Sequence, residues 1–376
     1  MSKTVVVGLS GGVDSSVAAA ILKEQGYNVI GLFMRNWDST TNNDVLGNPE
    51  VDDEVCSQEK DYQDAEAVAK KLEIPIHRVD FIEEYWNHVF TYFLEEYKKG
   101  RTPNPDILCN KYIKFDAFIK HAEKFNPDYI AMGHYARVTH NGESKMLRGI
   151  DDNKDQTYFL SQLTEKQLST VLFPVGDLNK SEVRAIAHKY DLATKDKKDS
   201  TGICFIGERD FNKFLDNYLP SKKGNMVTLD GEVIAKHGGL MYYTIGQRKG
   251  LGIGGSNKFG NEPWFVIGKD LDKNELIVGQ GFHHPVLYSD SCYVEEINMI
   301  NLPKFEGKMD VSAKFRYRQQ DVPVSIEYVG DDILVSFKED VLAVTPGQAA
   351  VFYDGEVCLG GGFIKEAYKD NKKRKY

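Results

Sequence analysis

The sequence predicts an α/β protein: a doubly wound parallel-sheet domain followed by two smaller β-rich domains. Three observations carry this. Strand-like and helix-like patterns alternate through the first half of the chain. The first strand, Val5, Val6 and Val7, is wholly apolar and β-branched. Beyond Leu219 the pattern changes to short alternating apolar runs between Gly, Asp and Asn turns. An unbroken apolar run marks a strand covered on both faces, whereas alternation marks a strand with one wet face.

After the first strand, Gly8, Gly11 and Gly12 supply a turn, and Val13, Val17, Ala18, Ile21 and Leu22 then recur at helical spacing up to Gly26. A glycine turn between a buried strand and a helix gathers backbone N–H groups, Ser10, Ser15 and the positive end of the helix dipole at one point, which favours an anion. The turn is not a P-loop. That motif needs a lysine at the helix entry, where this chain has Asp14, and no lysine follows. A Gly-x-Gly-x-x-Gly fingerprint is absent as well.

Residues 28–34 predict a second strand, 62–72 a helix, 74–79 a third strand, 82–97 an aromatic-rich helix and 128–132 a fourth strand. Right-handed crossovers between parallel strands put ligands beyond the carboxyl ends, where Met34, Gly133 and His134 fall. Thr164-x-x-Gln167 and Asn179-x-x-Glu182 read as capping boxes and predict helices over 165–172 and 180–190. Residues 324–329 and 333–337 flank Gly330-Asp-Asp332 as a hairpin. Gly250-Leu-Gly-Ile-Gly-Gly255 opens no helix and reads as a loop. The expected domains are 1–204, with a helical segment over about 150–200, then 205–280 and 285–368, followed by a disordered basic tail at 369–376. A chain of 376 residues exceeds what one core serves.

Net charge is −9, but between Asp38 and Glu66 ten acidic residues face only Lys60, so this segment holds the whole excess. It reads as an acidic loop that keeps nucleic acid off one face. No run of eighteen apolar residues occurs and the chain opens on a strand, which favours a cytoplasmic protein with no membrane partner. Five scattered cysteines suggest neither a disulfide framework nor a zinc site, and no metal ligand set stands out. Cys109 follows the stiff run Thr102-Pro-Asn-Pro105 at the start of a helical pattern, with Lys111 and Lys114 nearby, a setting that lowers a thiol pKa. Cys204 lies in a polar, glycine-flanked segment after Lys197 and Lys198. Cys292 and Cys358, in β patterns, read as small buried hydrophobes, and Cys56 is given no role.

Ser10-Gly-Gly-Val-Asp-Ser15 resembles the pyrophosphate loop of the ATP pyrophosphatases, the PP-loop enzymes of adenine nucleotide alpha hydrolase-like fold. Read with Asn104-Pro-Asp-x-x-Cys109-Asn, Met132-Gly-His-Tyr-Ala-Arg137, Lys154-Asp-Gln-Thr-Tyr158, Asp199-Ser-Thr-Gly-Ile-Cys204-Phe-Ile-Gly, Tyr243-Thr-Ile-Gly-Gln-Arg-Lys-Gly-Leu251 and Arg316-Tyr-Arg318, it resembles the tRNA-specific 2-thiouridylase family, with the motifs in the same order over nearly the whole chain.

That resemblance implies ATP, with Mg2+, bound by Gly8, Leu9, Ser10, Gly11, Gly12, Val13, Asp14, Ser15, Met34 and Gly133. It implies tRNA contacts at Asn104, Pro105, Asp106, His134, Lys154, Asp155, Gln156, Arg316, Tyr317 and Gln348, the substrate base lying in the anticodon loop. It implies adenylation of the wobble uridine's 2-oxygen, then sulfur delivery from a persulfide on Cys204. Cys109 would be the second thiol, and a Cys109–Cys204 disulfide would close the turnover. Asp106 is either an acid or base near the uracil or the cap of the helix that follows. Asp14 is a candidate for magnesium. The sulfur would come from a persulfide donor, a cysteine desulfurase or a sulfur carrier protein. Two rivals are an adenylating enzyme for a small acid or amide, with no need of the two thiols, and a binding protein that never releases pyrophosphate.

Overall fold

The computed structural model describes residues 2–50, 53, 56–199, 202, 203, 206–254 and 259–375. Cys204 and Gly255, both singled out above, lie outside the described residues. Val5, Val6 and Val7 are fully buried in strand β1 (Thr4–Gly8), and its alternate residues feed two different cores. Val6 joins Leu32, Met34 and Ile130 on one face. Val5 and Val7 join Val13, Val17, Val29 and Ala131 on the other. This double covering is why the run carries no polar residue.

The strands that follow are β2 (Asn28–Arg35), β3 (Ile76–Asp80), β4 (Tyr129–Ala131), the hairpin β5 (Ala136–Thr139) and β6 (Lys145–Arg148), and β7 (Val171–Leu172). Four of them join β1 in a parallel sheet in the order β3-β2-β1-β4-β7. The chain runs outward from β1 through β2 to β3, then returns to the other side of β1 as β4. The reversal of strand order therefore lies between β1 and β4, where open α/β sheets bind ligands. Helix α1 (Val13–Glu24) and the helix Lys180–Lys189 cover one face with helix α2 (Ser57–Lys71). Residues 82–98 and 105–122 cover the other, and both helical stretches contain π-helical turns, Trp86–Phe90 and Cys109–Ala117.

A second sheet joins Trp264–Asp270, Glu275–Gln280, Gly224–Val227 and Val233–His237 in that order. A third closes into a barrel: Tyr288–Met299 pairs antiparallel with both Asp332–Leu342 and Val357–Lys369. The predicted hairpin is present, with Val324 opposite Phe337. The barrel is not isolated from the first domain. Strand β6 pairs with Val357–Lys369, Met146 opposite Cys358, and Tyr353, Cys358 and Phe363 share a core with Phe93, Cys109 and Tyr158.

Several expectations are corrected. The helix expected over 165–172 spans only Glu165–Leu168, its Thr164–Gln167 capping box intact, and the β-branched Val171 then enters the parallel sheet as its edge. Helix α2 begins at Ser57, ahead of its first apolar repeat. The acidic segment is not a bare repulsive face. Asp44 is buried against Arg209 and the Trp37 indole, Arg35 pairs with Asp38, Arg78 with Glu59, and Lys197 with Asp61 and Asp64.

The tail is ordered as far as it is described. Lys372–Lys373 pairs with the last barrel strand, Arg374 donates to the Tyr288 carbonyl, and Lys269 N donates 3.2 Å to the Lys375 carbonyl. Removing residues 370–376 should therefore lower the thermal midpoint by several degrees, since each lost hydrogen bond contributes about 1 kcal/mol. Scanning calorimetry of full-length and truncated chains checks this, and equal midpoints would restore the disordered tail.

Candidate active site

Gly8 ends β1 against Met132 and Met34: a Cβ on it would lie 2.5 Å from the Met132 sulfur and 3.7 Å from Met34 Cε. Gly11 has φ +74°, and a Cβ there would lie 2.1 Å from the Asp61 carbonyl oxygen, so only glycine lets the turn pass beneath α2. Gly12 stands at the N-cap of α1 with no side-chain cap. The serines stabilise the turn from within. Ser10 N donates to Ser15 Oγ at 3.2 Å, and the Ser15 and Ser16 hydroxyls donate to the Gly12 carbonyl at 3.1 and 2.7 Å. The helix head thus keeps its dipole facing an open point. Gly133, two residues past β4, packs on that head: a Cβ would lie 2.6 Å from Ser15 N. Met34 and Gly133 fall beside the loop as expected.

Two lysines that sequence reading left unassigned meet this loop. Lys197 Nζ donates 3.0 Å to the Gly11 carbonyl and pairs with Asp61 and Asp64. Burial works against its charge, but the two carboxylates outweigh that and raise its pKa. Lys180 Nζ lies 2.7 and 2.9 Å from the two Asp14 oxygens and 2.7 Å from Asp199. Burial acts to raise the Asp199 pKa, yet bonds from Lys154 and Lys180 prevail and draw it down to about 2. Arg184 also reaches Asp199, at 3.1 Å. No spacing rule would pair residues 166 positions apart, although Lys197 was visible within a basic cluster.

Asp14 also accepts from Tyr135 OH at 2.8 Å, and Tyr135 exchanges backbone and side-chain bonds with Gln156 at 2.9 Å. The loop is thereby tied to the segment 154–157. Within that segment Asp155 is buried, accepting from Gly149 N, Thr157 N and Thr157 Oγ1, with Arg148 3.8 Å away. The side chains of Lys154, Asp155 and Gln156 all have partners within the chain.

The helix at Cys109 begins earlier than expected. Asn104 is its cap, accepting from Asp106 N at 3.2 Å, with Pro105 as the first helical residue. This removes the capping role considered for Asp106. Cys109 lies a turn beyond the helix head and is fully buried, so it does not stand at the helix N-terminus. It opens the π-helical turn, a distortion common at functional sites. Burial lowers the Lys111 pKa, and its ammonium donates to Gln162 at 3.0 Å. Cys292 and Cys358 are buried as expected; burial raises both thiols, Cys358 to about 12.

The barrel closes over this helix. Gln348 Nε2 donates 2.8 Å to the Thr102 carbonyl, and Thr102 N donates to the Pro346 carbonyl at 3.0 Å. The Tyr317 ring lies 4.4 Å from that of Phe159, and its hydroxyl reaches the Lys154 carbonyl at 3.5 Å. Asn110 Nδ2 donates to the Phe159 carbonyl. Arg316 bonds the Ile245 carbonyl at 2.8 Å and Thr345 Oγ1 at 3.0 Å, joining the second and third sheets. Of the tRNA set, Asn104, Pro105, Asp106, Lys154, Gln156, Tyr317 and Gln348 therefore lie along one seam, with Arg316 holding its far side. His134 is buried beside Phe115 and Phe173, and burial pulls its pKa well below the usual value, so the ring is neutral.

Residues 3–208 match the family described as tRNA methyl transferase HUP domain, 212–280 the tRNA methyl transferase PRC-barrel domain and 289–364 the aminomethyltransferase beta-barrel domain. Over 378 residues the chain is 60% identical to the tRNA-specific 2-thiouridylase MnmA of Acholeplasma laidlawii, all of both chains being covered. It is 57% identical over 375 residues to the tRNA-specific 2-thiouridylase MnmA of Bacillus subtilis, covering 99% of this chain and 97% of that one. The chain belongs to the tRNA-specific 2-thiouridylase family. The domain descriptions speak of methyl transfer, but identity over the full length decides for thiolation. This 2-thiouridylase has a HUP-type parallel-sheet domain, then PRC-barrel-like and β-barrel domains. No helix among the described residues is long and apolar enough to cross a membrane.

Because Gly133 touches the head of α1, Gly133→Ala should lower the thiolation rate between about fivefold and about a hundredfold, a displacement costing about 1–3 kcal/mol, with far-UV circular dichroism unchanged. The depressed Asp199 carboxyl has its own signature. Its ion pairs contribute stability above the unfolded carboxylate pKa near 4, and that contribution is lost as pH falls through about 2. Asp199→Asn should flatten the acid side of the stability profile between those values, measured by urea unfolding at each pH.

Proposed function

We propose that this thiouridylase adenylates the 2-oxygen of the wobble uridine with ATP and then replaces it with sulfur carried as a persulfide on Cys204. The observation that carries the reading is the connection between two places. The uncapped head of α1 is tied through Asp14, Tyr135 and Gln156, and through Lys180, Asp199 and Lys154, to the seam that holds Asp106 and Cys109. An anion site for a nucleotide and a site for a polynucleotide thus share one framework.

In this reading the uracil oxygen attacks the α-phosphorus, the bond to the β-phosphate breaks, and pyrophosphate leaves against the backbone donors of residues 11–15. Met34 and Gly133 flank the nucleotide. The terminal persulfide sulfur then attacks C2 and AMP departs with the oxygen. The Cys109 thiolate attacks Cys204 Sγ, cleaving the bond to the transferred sulfur, and the resulting disulfide is reduced by a thiol reductant. Asp106, one turn before Cys109, is the acid or base at the uracil edge. The donor of the persulfide is a cysteine desulfurase or a sulfur carrier protein. An anticodon-loop base, being single-stranded, can be turned out into such a seam.

Magnesium would come with the incoming ATP and would supply positive charge at its phosphates. Asp14 is already engaged by Lys180 and Tyr135, and among the described residues no three Asp, Glu, His or Cys side chains gather as a metal site.

The test supplies unmodified tRNA, MgATP and a persulfide donor, and quantifies 2-thiouridine by mass spectrometry. Cys109→Ser and Cys204→Ser should each abolish the product while pyrophosphate release continues to depend on tRNA. Full thiolation by both variants would refute the thiol mechanism, and tRNA-independent pyrophosphate release would favour a small-molecule substrate.

A further inference from the structure

We propose that Arg248 and Lys249, on the loop 244–250 of the second sheet, take backbone phosphates of the tRNA strand beside the seam. The proposal rests on the reading of that seam as the place of the substrate base. The loop is braced from within. Tyr243, Ile245 and Leu251 are buried in the core of the second sheet. Gly246 N donates 2.8 Å to the Val266 carbonyl, and Val266 N donates 2.9 Å to the Gln247 carbonyl, which stitches the turn to the strand Trp264–Asp270. The Gln247 side chain spans the turn: Oε1 accepts from Thr244 N and Nε2 donates to the Lys249 carbonyl, each at 2.9 Å. Gly246, at φ +80°, passes so close to the barrel that a Cβ would lie 2.9 Å from Ala343 Cβ. With the apolar residues turned inward and the amide bonded to backbone, Arg248 and Lys249 are the exposed side chains.

Charge and place set these two cations apart. Around the seam and the glycine loop, Arg101, Arg148, Lys154 and Lys180 each pair with a carboxylate. Among the described residues the side chains of Arg248 and Lys249 form no ion pair and no hydrogen bond, so a phosphate would displace only water. Arg318, exposed two residues beyond Arg316, likewise has no carboxylate partner among the described residues. The loop adjoins the seam at two points. Thr244 Oγ1 lies 3.2 Å from Thr102 Oγ1, on the residue whose carbonyl Gln348 holds, and the Ile245 carbonyl accepts from Arg316 at 2.8 Å. A chain of net charge −9 offers a polyanion little attraction as a whole, so phosphates must be met by local, uncommitted cations. Arg248 and Lys249 meet that requirement on a rigid support, two residues from the seam contact of Gly246 with the barrel.

Fluorescence anisotropy of labelled, unmodified tRNA with the full-length enzyme, taken through a salt series, tests this. Arg248→Gln combined with Lys249→Gln should weaken tRNA about tenfold at low salt and make the slope of log affinity against log salt shallower by about 1–2, as expected for two lost phosphate contacts. Arg248→Lys combined with Lys249→Arg keeps the charges and should retain the slope. MgATP affinity by isothermal titration and the thermal midpoint should not change. Lys222→Gln combined with Lys223→Gln, an exposed pair just before the strand Gly224–Val227, should leave tRNA affinity within about twofold. An unchanged slope in a folded Arg248→Gln, Lys249→Gln protein, an equal loss from the Lys222 and Lys223 changes, or a parallel fall in MgATP affinity would overturn the proposal alone. So would lost thiolation with tRNA affinity intact, which would assign the loop to the persulfide donor. Failure of the unaltered enzyme to bind tRNA would overturn the reading of the seam as well.

Discussion

The constraint on which this structure depends is the open head of α1. A helix start leaves several N–H groups without partners, and most proteins satisfy them with a Ser, Thr, Asp or Asn cap. Here Gly12 holds the cap position and contributes no side chain, while Ser15 and Ser16 turn back to the Gly12 carbonyl. Keeping the point open costs stability that must come from elsewhere, and the surroundings supply it. Gly11 is locked under the Asp61 carbonyl, Lys197 grips the turn, and Gly133 closes against Ser15. Each contact falls on backbone, so the donors stay aimed outward.

The second domain boundary is less independent than the sheet count suggests. Strand β6 adds to the barrel, and the barrel's Tyr353, Cys358 and Phe363 share a core with the helix that carries Cys109. Rigid coupling of this kind fixes the distance between the nucleotide loop and the seam. In the proposed reaction one uracil C2 must face the ATP α-phosphate and then the persulfide, and misplacement of reacting atoms is costly, so a fixed distance favours both steps. The buried Arg148–Asp155–Thr157 cluster and the Arg316 bridge serve this rigidity, which explains why family-implied RNA residues such as Asp155 face inward.

What was legible in the sequence is what local physics encodes. Val5, Val6 and Val7 spell a doubly covered strand, and glycines at 8, 11 and 12 spell a turn in which Gly11, at φ +74° under the Asp61 carbonyl, admits no Cβ. The capping boxes at Thr164 and Asn179 mark true helix starts. What was illegible depends on residues far apart in the chain. Val171 reads as the end of a helix until β4 offers it an edge to pair with. The tail reads as a solvated basic run until Lys269 and the Tyr288 carbonyl receive it. The acidic stretch reads as a repulsive face because two of its partners, Arg209 and Lys197, lie over 130 positions away. Cys109 could be placed near a helix start, but burial by a barrel still 180 residues ahead carries no local signal.

The same distinction bears on the thiols. A cysteine in a β-strand interior is pushed toward the neutral form by burial, as Cys292 and Cys358 are. Cys109 is as deeply buried, yet it sits where the helix distorts into a π-turn, at the seam between two domains, with Lys111 and Asn110 bonded across to the 159–162 segment. A thiol in that position is shielded from casual oxidants. Such shielding suits the role proposed for Cys109, a thiol that must not be oxidised before sulfur has been delivered.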